Sequence, residues 1–147
     1  MRDTEVFASV ERELNRQRNN IELIDSELNV INGYGIYFPS EGNVVINNTT
    51  IKADYVGVQM CAGNLTVSGN SYISATASVN PEDKTGDGVI PDGSALSIVE
   101  RDGYKGIGKI NIECGKFLSS NSKSVNAYRF SEDDKDEPWT EAKDNIS

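Results

Sequence analysis

The chain of 147 residues contains no histidine, two cysteines, four prolines and one tryptophan, and it sets 14 Lys and Arg against 23 Asp and Glu. Without imidazole, a histidine-based nucleophile triad and histidine-containing zinc sites are excluded. The two thiols, Cys61 and Cys114, fall at different points of the pattern described below and need not meet, so two reduced, half-buried thiols are expected rather than a disulfide. A formal net charge of −9 opposes a phosphate backbone and supplies no cationic stripe, so nucleic acid is not an expected partner. No apolar run approaches the roughly 18 residues that would span a bilayer, and no membrane insertion is expected. Residues 1 to 24 lack the apolar core and small-residue cleavage site of a secretory signal. With no signal peptide in this chain, the expected location is a cell surface or virion as part of a longer protein, and otherwise the cytoplasm.

What the chain does have is a hidden repeat with a period of about 22 residues. Gly35-Ile36-Tyr37-Phe38, Gly57-Val58-Gln59-Met60, Ala95-Leu96-Ser97-Ile98 and Ala127-Tyr128-Arg129-Phe130 occupy one slot in successive units. A second strand follows, with the alternating pairs Val44 and Ile46, Leu65 and Val67, and Ile110 and Ile112. A third, shorter strand is centred on Ile51, Ile73 and Leu118. Three strands per unit, recurring in one direction, predict parallel stacking of like residue on like: Ile36, Val58, Leu96 and Tyr128 in one interior ladder, Phe38, Met60, Ile98 and Phe130 in the next. The corner between the second and third strands reads Asn47-Asn48-Thr49, Ser68-Gly69-Asn70 and Glu113-Cys114-Gly115, a composition of turn residues. The small residue that opens each first strand (Gly35, Gly57, Ala95, Ala127) fits a place where a larger side chain would strike the neighbouring unit. The predicted fold is all-β, a right-handed single-stranded parallel β-helix, or β-solenoid, with three strands per coil and one N-terminal capping α-helix.

The organisation follows from where that pattern starts, breaks and ends. Residues 1–25 are assigned to an amphipathic cap: Phe7, Val10, Leu14, Gln17, Ile21 and Ile24 keep a three-four spacing, with a helix predicted over about residues 4 to 19. Residues 26–130 form the repeat region, interrupted by insertions at 76–93 and 100–108, which in a solenoid map to protruding loops. Residues 131–147 are read as an acidic loop followed by the start of an incomplete coil, as in a fragment of a longer solenoid or a chain that completes its last coil by self-association.

From residue 28 onward the chain resembles the right-handed parallel β-helix repeats of bacterial cell-surface and phage-associated proteins, on residues such as Gly63-Asn64-Leu65-Thr66-Val67-Ser68-Gly69-Asn70-Ser71-Tyr72-Ile73-Ser74-Ala75. The resemblance implies adhesins, carbohydrate-binding modules, polysaccharide lyases or tail fibres as functional company, and specifies fold more than activity. A separate stretch, Glu13-Leu14-Asn15-Arg16-Gln17-Arg18-Asn19-Asn20-Ile21-Glu22-Leu23-Ile24-Asp25-Ser26-Glu27, resembles the start of serine hydroxymethyltransferases. In that family Ser26 would match a serine of the substrate pocket. The cofactor-binding lysine, its domain and the stacking imidazole have no counterpart, so the resemblance implies no hydroxymethyltransferase activity.

Candidate sites are sparse, and no catalytic or cofactor-binding residue is assigned. Asp83-Lys84-Thr85-Gly86-Asp87 places oxygens at the first, third and fifth positions of an EF-hand-type calcium loop, with Asp92 as an extra oxygen, while Ser94 stands where the closing glutamate belongs. Calcium through Asp83, Thr85, Asp87 and Asp92 is therefore the one metal expectation. Tyr34, Tyr37, Tyr55, Tyr72 and Tyr104 offer rings for packing or for stacking on sugars; Tyr37 alternates outward, and Tyr104 sits in an insertion beside Arg101 and Lys105. Tyr37, Arg101, Tyr104 and Lys105 are the candidate ligand contacts. Outward acids including Asp54, Glu100, Asp102 and Glu113 keep a two-carboxylate glycoside hydrolase as an alternative, and a polysaccharide lyase would need a base such as Arg101, Lys105 or Arg129. The favoured reading is a non-catalytic structural or binding module that meets glycan or protein through its loops and outer face.

Overall fold

The computed structural model describes residues 20–77, 90–101, 104, 106–130 and 140–141. Thirteen strands account for most of them: β1 (Asn20–Ile24), β2 (Glu27–Val30), β3 (Tyr34–Phe38), β4 (Asn43–Asn47), β5 (Thr50–Ala53), β6 (Val56–Met60), β7 (Gly63–Ser68), β8 (Tyr72–Ala75), β9 (Leu96–Arg101), β10 (Ile107–Ile112), β11 (Lys116–Ser119), β12 (Val125–Phe130) and β13 (Thr140–Glu141). There is no helix among the described residues, and the predicted capping helix lies outside them. The chain visits three open sheets in rotation, so their orders are β1-β4-β7-β10, β2-β5-β8-β11 and β3-β6-β9-β12-β13. Every pairing among the first twelve strands is parallel, and only β13 runs antiparallel, to β12.

Alternation within each short strand sends every second side chain inward, and the register then piles these side chains up. Val44 pairs with Leu65 and Leu65 with Ile110, while Ile46, Val67 and Ile112 form the adjacent row. On the second sheet Leu28, Ile51, Ile73 and Phe117 stack. On the third, Ile36, Val58, Leu96 and Val125 make one row, and Phe38, Met60, Ile98 and Ala127 the next. These rows converge on one core in which Val44, Ile46, Ile51, Val58, Met60, Leu65, Val67, Ile73 and Leu96 are completely buried. Each such side chain contributes about 1.5–3 kcal/mol of transfer free energy before conformational entropy is set against it.

The corners explain why three short strands can follow one another so closely. Asp25 (φ 48°), Asn48 (φ 47°) and Gly69 (φ 64°) all take the left-handed conformation immediately after register-matched residues Ile24, Asn47 and Ser68. Asp, Asn and Gly are the residues that tolerate it. Just inside this bend runs a chain of hydroxyls: Ser26 N donates to Thr49 Oγ1 (3.3 Å), Thr49 N to Ser71 Oγ (3.3 Å) and Ser71 Oγ to the Ser68 carbonyl (2.7 Å). Ser26 is thus a corner residue, its own hydroxyl donating to the Ile24 carbonyl (2.8 Å). The small-residue expectation holds at Gly35 and Gly57. A Cβ on Gly35 would strike the Gly57 carbonyl and come within 2.6 Å of Ile51 Cγ2, and one on Gly57 would strike the Ala95 carbonyl.

Several expectations are corrected. Asn20–Ile24, placed with the cap, is β1, and Ile21 and Leu23 stack on Val44 and Ile46 as the first member of the second-strand row. Tyr128 does not lie under Leu96. It pairs with Val99, a slip of three residues that turns its side chain to the outer face and brings Val125 and Ala127 inward. Phe117, not Leu118, faces the core on β11; Leu118 is 51% exposed. The tail of the first insertion does not protrude, since Ile90, Asp92 and Ser94 are buried against the third sheet. Within the acidic C-terminal region, Thr140–Glu141 forms a strand on β12.

Candidate functional site

Two places on the outer surface gather polar and aromatic side chains. The first is the outer face of the third sheet. Residues that alternate outward there, Tyr37, Gln59 and Cys61, would be solvent-exposed in a bare sheet. The segment from Ile90 to Ser94 lies over them: Ile90 N donates to Gln59 Oε1 (3.0 Å), Gly93 N to the Tyr55 carbonyl (2.9 Å) and Gly57 N to the Ser94 carbonyl (3.1 Å). A second small core of Cys61, Ile90 and Val99 results, with Tyr37, Tyr104 and Tyr128 packed at its margin. Gln59 Nε2 donates to Cys61 Sγ (3.3 Å).

Of the four expected ligand contacts, the structure brings two together. The hydroxyls of Tyr37 and Tyr104 lie 3.2 Å apart, both rings half-buried. Burial, and then the Tyr104 hydrogen bond, push the Tyr37 phenol above its usual value. Arg101 closes β9, but its side chain and Lys105 lie outside what the structure describes. Tyr37 and Tyr104 are thus joined at their hydroxyls and packed against the small core of Cys61, Ile90 and Val99. Tyr34 and Tyr55 likewise pack on each other edge to face, with ring centroids 5.7 Å apart.

Asp83, Thr85 and Asp87 of the expected calcium loop lie outside the described residues. Asp92 is described, and its carboxylate is already occupied. Oδ1 accepts from Ser94 N (2.9 Å) and Ser94 Oγ (2.5 Å), and Oδ2 from Asn126 Nδ2 (2.9 Å) and Tyr128 OH (2.7 Å). At 4% exposure Asp92 works as a buried clamp that ties the covering segment to β12. Ser97 is fully buried, and its hydroxyl has no partner among the described residues. Among the described residues no group of three or more His, Cys, Asp or Glu could hold a metal ion.

The second place is a cavity of about 320 Å³ at the corner joining β7 to β8 and β10 to β11, lined by Gly69, Asn70, Ser71, Tyr72, Cys114, Gly115 and Lys116. Tyr72 and Lys116 are register partners on adjacent strands. The backbone around them is fixed by Lys116 N donating to the Ser71 carbonyl (2.8 Å) and Asn70 N to Asn48 Oδ1 (2.9 Å). Cys114 is exposed and Cys61 buried, both free thiols. This cavity was missed in the sequence because the corners were aligned at equal length: with Val67 paired to Ile112 and Tyr72 to Lys116, residues 68–71 of one unit face only residues 113–115 of the next.

Of the outward acids, Asp102 lies outside the described residues. Asp54 accepts from Asn32 N (2.6 Å) and Thr76 Oγ1 (3.1 Å), tying its corner to the units before and after it, and Glu113 accepts from Asn111 Nδ2 (3.0 Å) two residues away. Searches against family models, curated proteins and solved structures find no match to this chain.

Proposed function

We propose that the chain is a right-handed parallel β-helix segment of the bacterial-surface or phage type, acting as a non-catalytic module that contacts a glycan through its outer surface. The observation that carries this reading is the like-over-like register of three parallel sheets visited in rotation. Parallel strands joined by crossovers wind right-handed in nearly all proteins, which supports the handedness. A rod of stacked short strands presents side chains at fixed spacings along its length and holds them without rearrangement, the property a repeating polymer ligand needs. Tyrosines and amides at the surface supply flat apolar faces and paired donors and acceptors, the chemistry that recognises sugar rings.

A glycan array followed by a turnover assay on each retained glycan tests the reading. Binding without new reducing ends or unsaturated products is the expected result. Cleavage of a retained glycan would replace the module by an enzyme, and no retained glycan at any ionic strength would end the glycan reading.

A further inference from the structure

The cavity between β7–β8 and β10–β11 belongs neither to the packed tyrosine face nor to the core, and its lining is chemically uncommitted. No described residue hydrogen-bonds the Asn70 side-chain amide, the Tyr72 hydroxyl or the Lys116 ammonium. Asn70 and Lys116 are exposed and Tyr72 half-buried, so their polar ends are open to solvent and to a ligand alike. The backbone that carries them is supported from behind: Ser71, between Asn70 and Tyr72, has its hydroxyl bonded to the Ser68 carbonyl and its carbonyl bonded to Lys116 N.

We propose that this cavity is a subsite for one carboxylated sugar ring of the uronic acid type; the assignment rests on the glycan-binding reading. A volume of about 320 Å³ lies at the low end for small-molecule pockets, which suits a single ring. Tyr72 offers the ring an aromatic surface, Asn70 pairs a donor with an acceptor for vicinal hydroxyls, and Lys116 meets the carboxylate. The charge argues for a monoanion. Lys116 is the one cation of the lining, Glu113 beside Cys114 is turned to Asn111, and the chain as a whole carries −9. A phosphate ester of charge about −1.5 to −2 would face that field with only one compensating cation. Cys114 lines the same cavity and takes no part in recognition, but it reports on it.

The test uses the intact chain with glucuronic acid, glucose and glucose 6-phosphate as probes. Cys114 alkylation by iodoacetamide is the first readout, with buried Cys61 as the silent reference, and backbone amide shifts at residues 69–72 and 114–116 are the second. Millimolar glucuronic acid is expected to slow Cys114 alkylation and to shift those amides, with glucose and glucose 6-phosphate weaker. Lys116→Gln and Tyr72→Ser are each expected to weaken glucuronic acid about tenfold or more, the loss of one charged hydrogen bond or one stacking face. Both side chains point outward, and unchanged melting temperatures would show that the variants fold. No effect of glucuronic acid on either readout overturns the subsite, as does binding that Lys116→Gln leaves unchanged. Shifts confined to the surroundings of Tyr37 and Tyr104 overturn the subsite and leave the glycan reading standing. Glucuronic acid binding here, with no polymer retained on the array, upholds the subsite and removes the module reading.

Discussion

An extra methyl group at position 57 has no room, because it would overlap the Ala95 carbonyl of the next unit and the Ile73 side chain. Gly57→Ala is therefore expected to destabilise the fold by about 1–3 kcal/mol, read as a lower urea midpoint. The requirement was legible as a small-residue slot. Gln59 was not: alternation pointed it outward, and outward ordinarily means wet, but its amide is fully buried because an insertion returns over it. No local pattern announces where an insertion will land. The same covering gives Tyr37 its pH response. Its phenol titrates above the usual 10.0 in the folded chain, so the neutral form is favoured by folding; that stability is complete below about pH 10 and is lost as pH rises through the folded value. Tyr37→Phe is expected to flatten the fall of melting temperature above pH 10, while Tyr34, also raised by burial, leaves a remainder.

Strands in this chain are held edge to edge by more than their backbones. On the first sheet the exposed amides of Asn20, Asn43 and Asn64 form a ladder: Asn43 Nδ2 donates to Asn20 Oδ1 (2.8 Å), Asn64 Nδ2 to Asn43 Oδ1 (3.0 Å), and Asn64 Oδ1 accepts from Lys109 N (2.7 Å). The ladder ends on β10 because Gly108 leaves room for the Asn64 carbonyl oxygen. Asn64→Ala removes both bonds and is expected to cost about 1–3 kcal/mol, with faster hydrogen exchange at the Lys109 amide as the specific sign. The second strands β4, β7 and β10 were legible from alternating aliphatics and the third strands β5 and β8 from Ile51 and Ile73, and the pairing of Val58 with Leu96 across a long insertion followed from the same repeat. β12 was misread because Ala127-Tyr128-Arg129-Phe130 imitates the first-strand slot. Its neighbours decide otherwise, with Tyr128 and Asn126 drawn outward to the Asp92 carboxylate. β1 was misread because Ile21 and Ile24 satisfy a helical spacing as well as Ile21 and Leu23 satisfy a strand.

Among the described residues the core strands of each unit pair only with those of the units before and after it, while on the outer face the Tyr37–Tyr104 contact reaches past a neighbour, so position along the stack determines what a core mutation does. Ile73 is fully buried between Ile51 and Phe117, and Ile73→Ala is expected to lower the stability of the whole by about 2–5 kcal/mol in one transition. Leu28 is partly buried in the first unit, and Leu28→Ala is expected to cost less and to raise exchange in β1 and β2 ahead of the rest. Hydrogen exchange followed by residue separates the two patterns. The stacking that produces them was readable from one sequence because the period is nearly constant, whereas the outer coverings, which carry most of the chemistry, arise where the period fails. One such departure has a mechanical meaning. β13 lies reversed against Tyr128 and Arg129 of β12 and covers that part of its edge, while among the described residues the outer edges of β10 and β11 carry no further strand. A parallel strand laid along the whole of β12 would first have to prise that doorstop away, whereas β10 and β11 offer their edges directly.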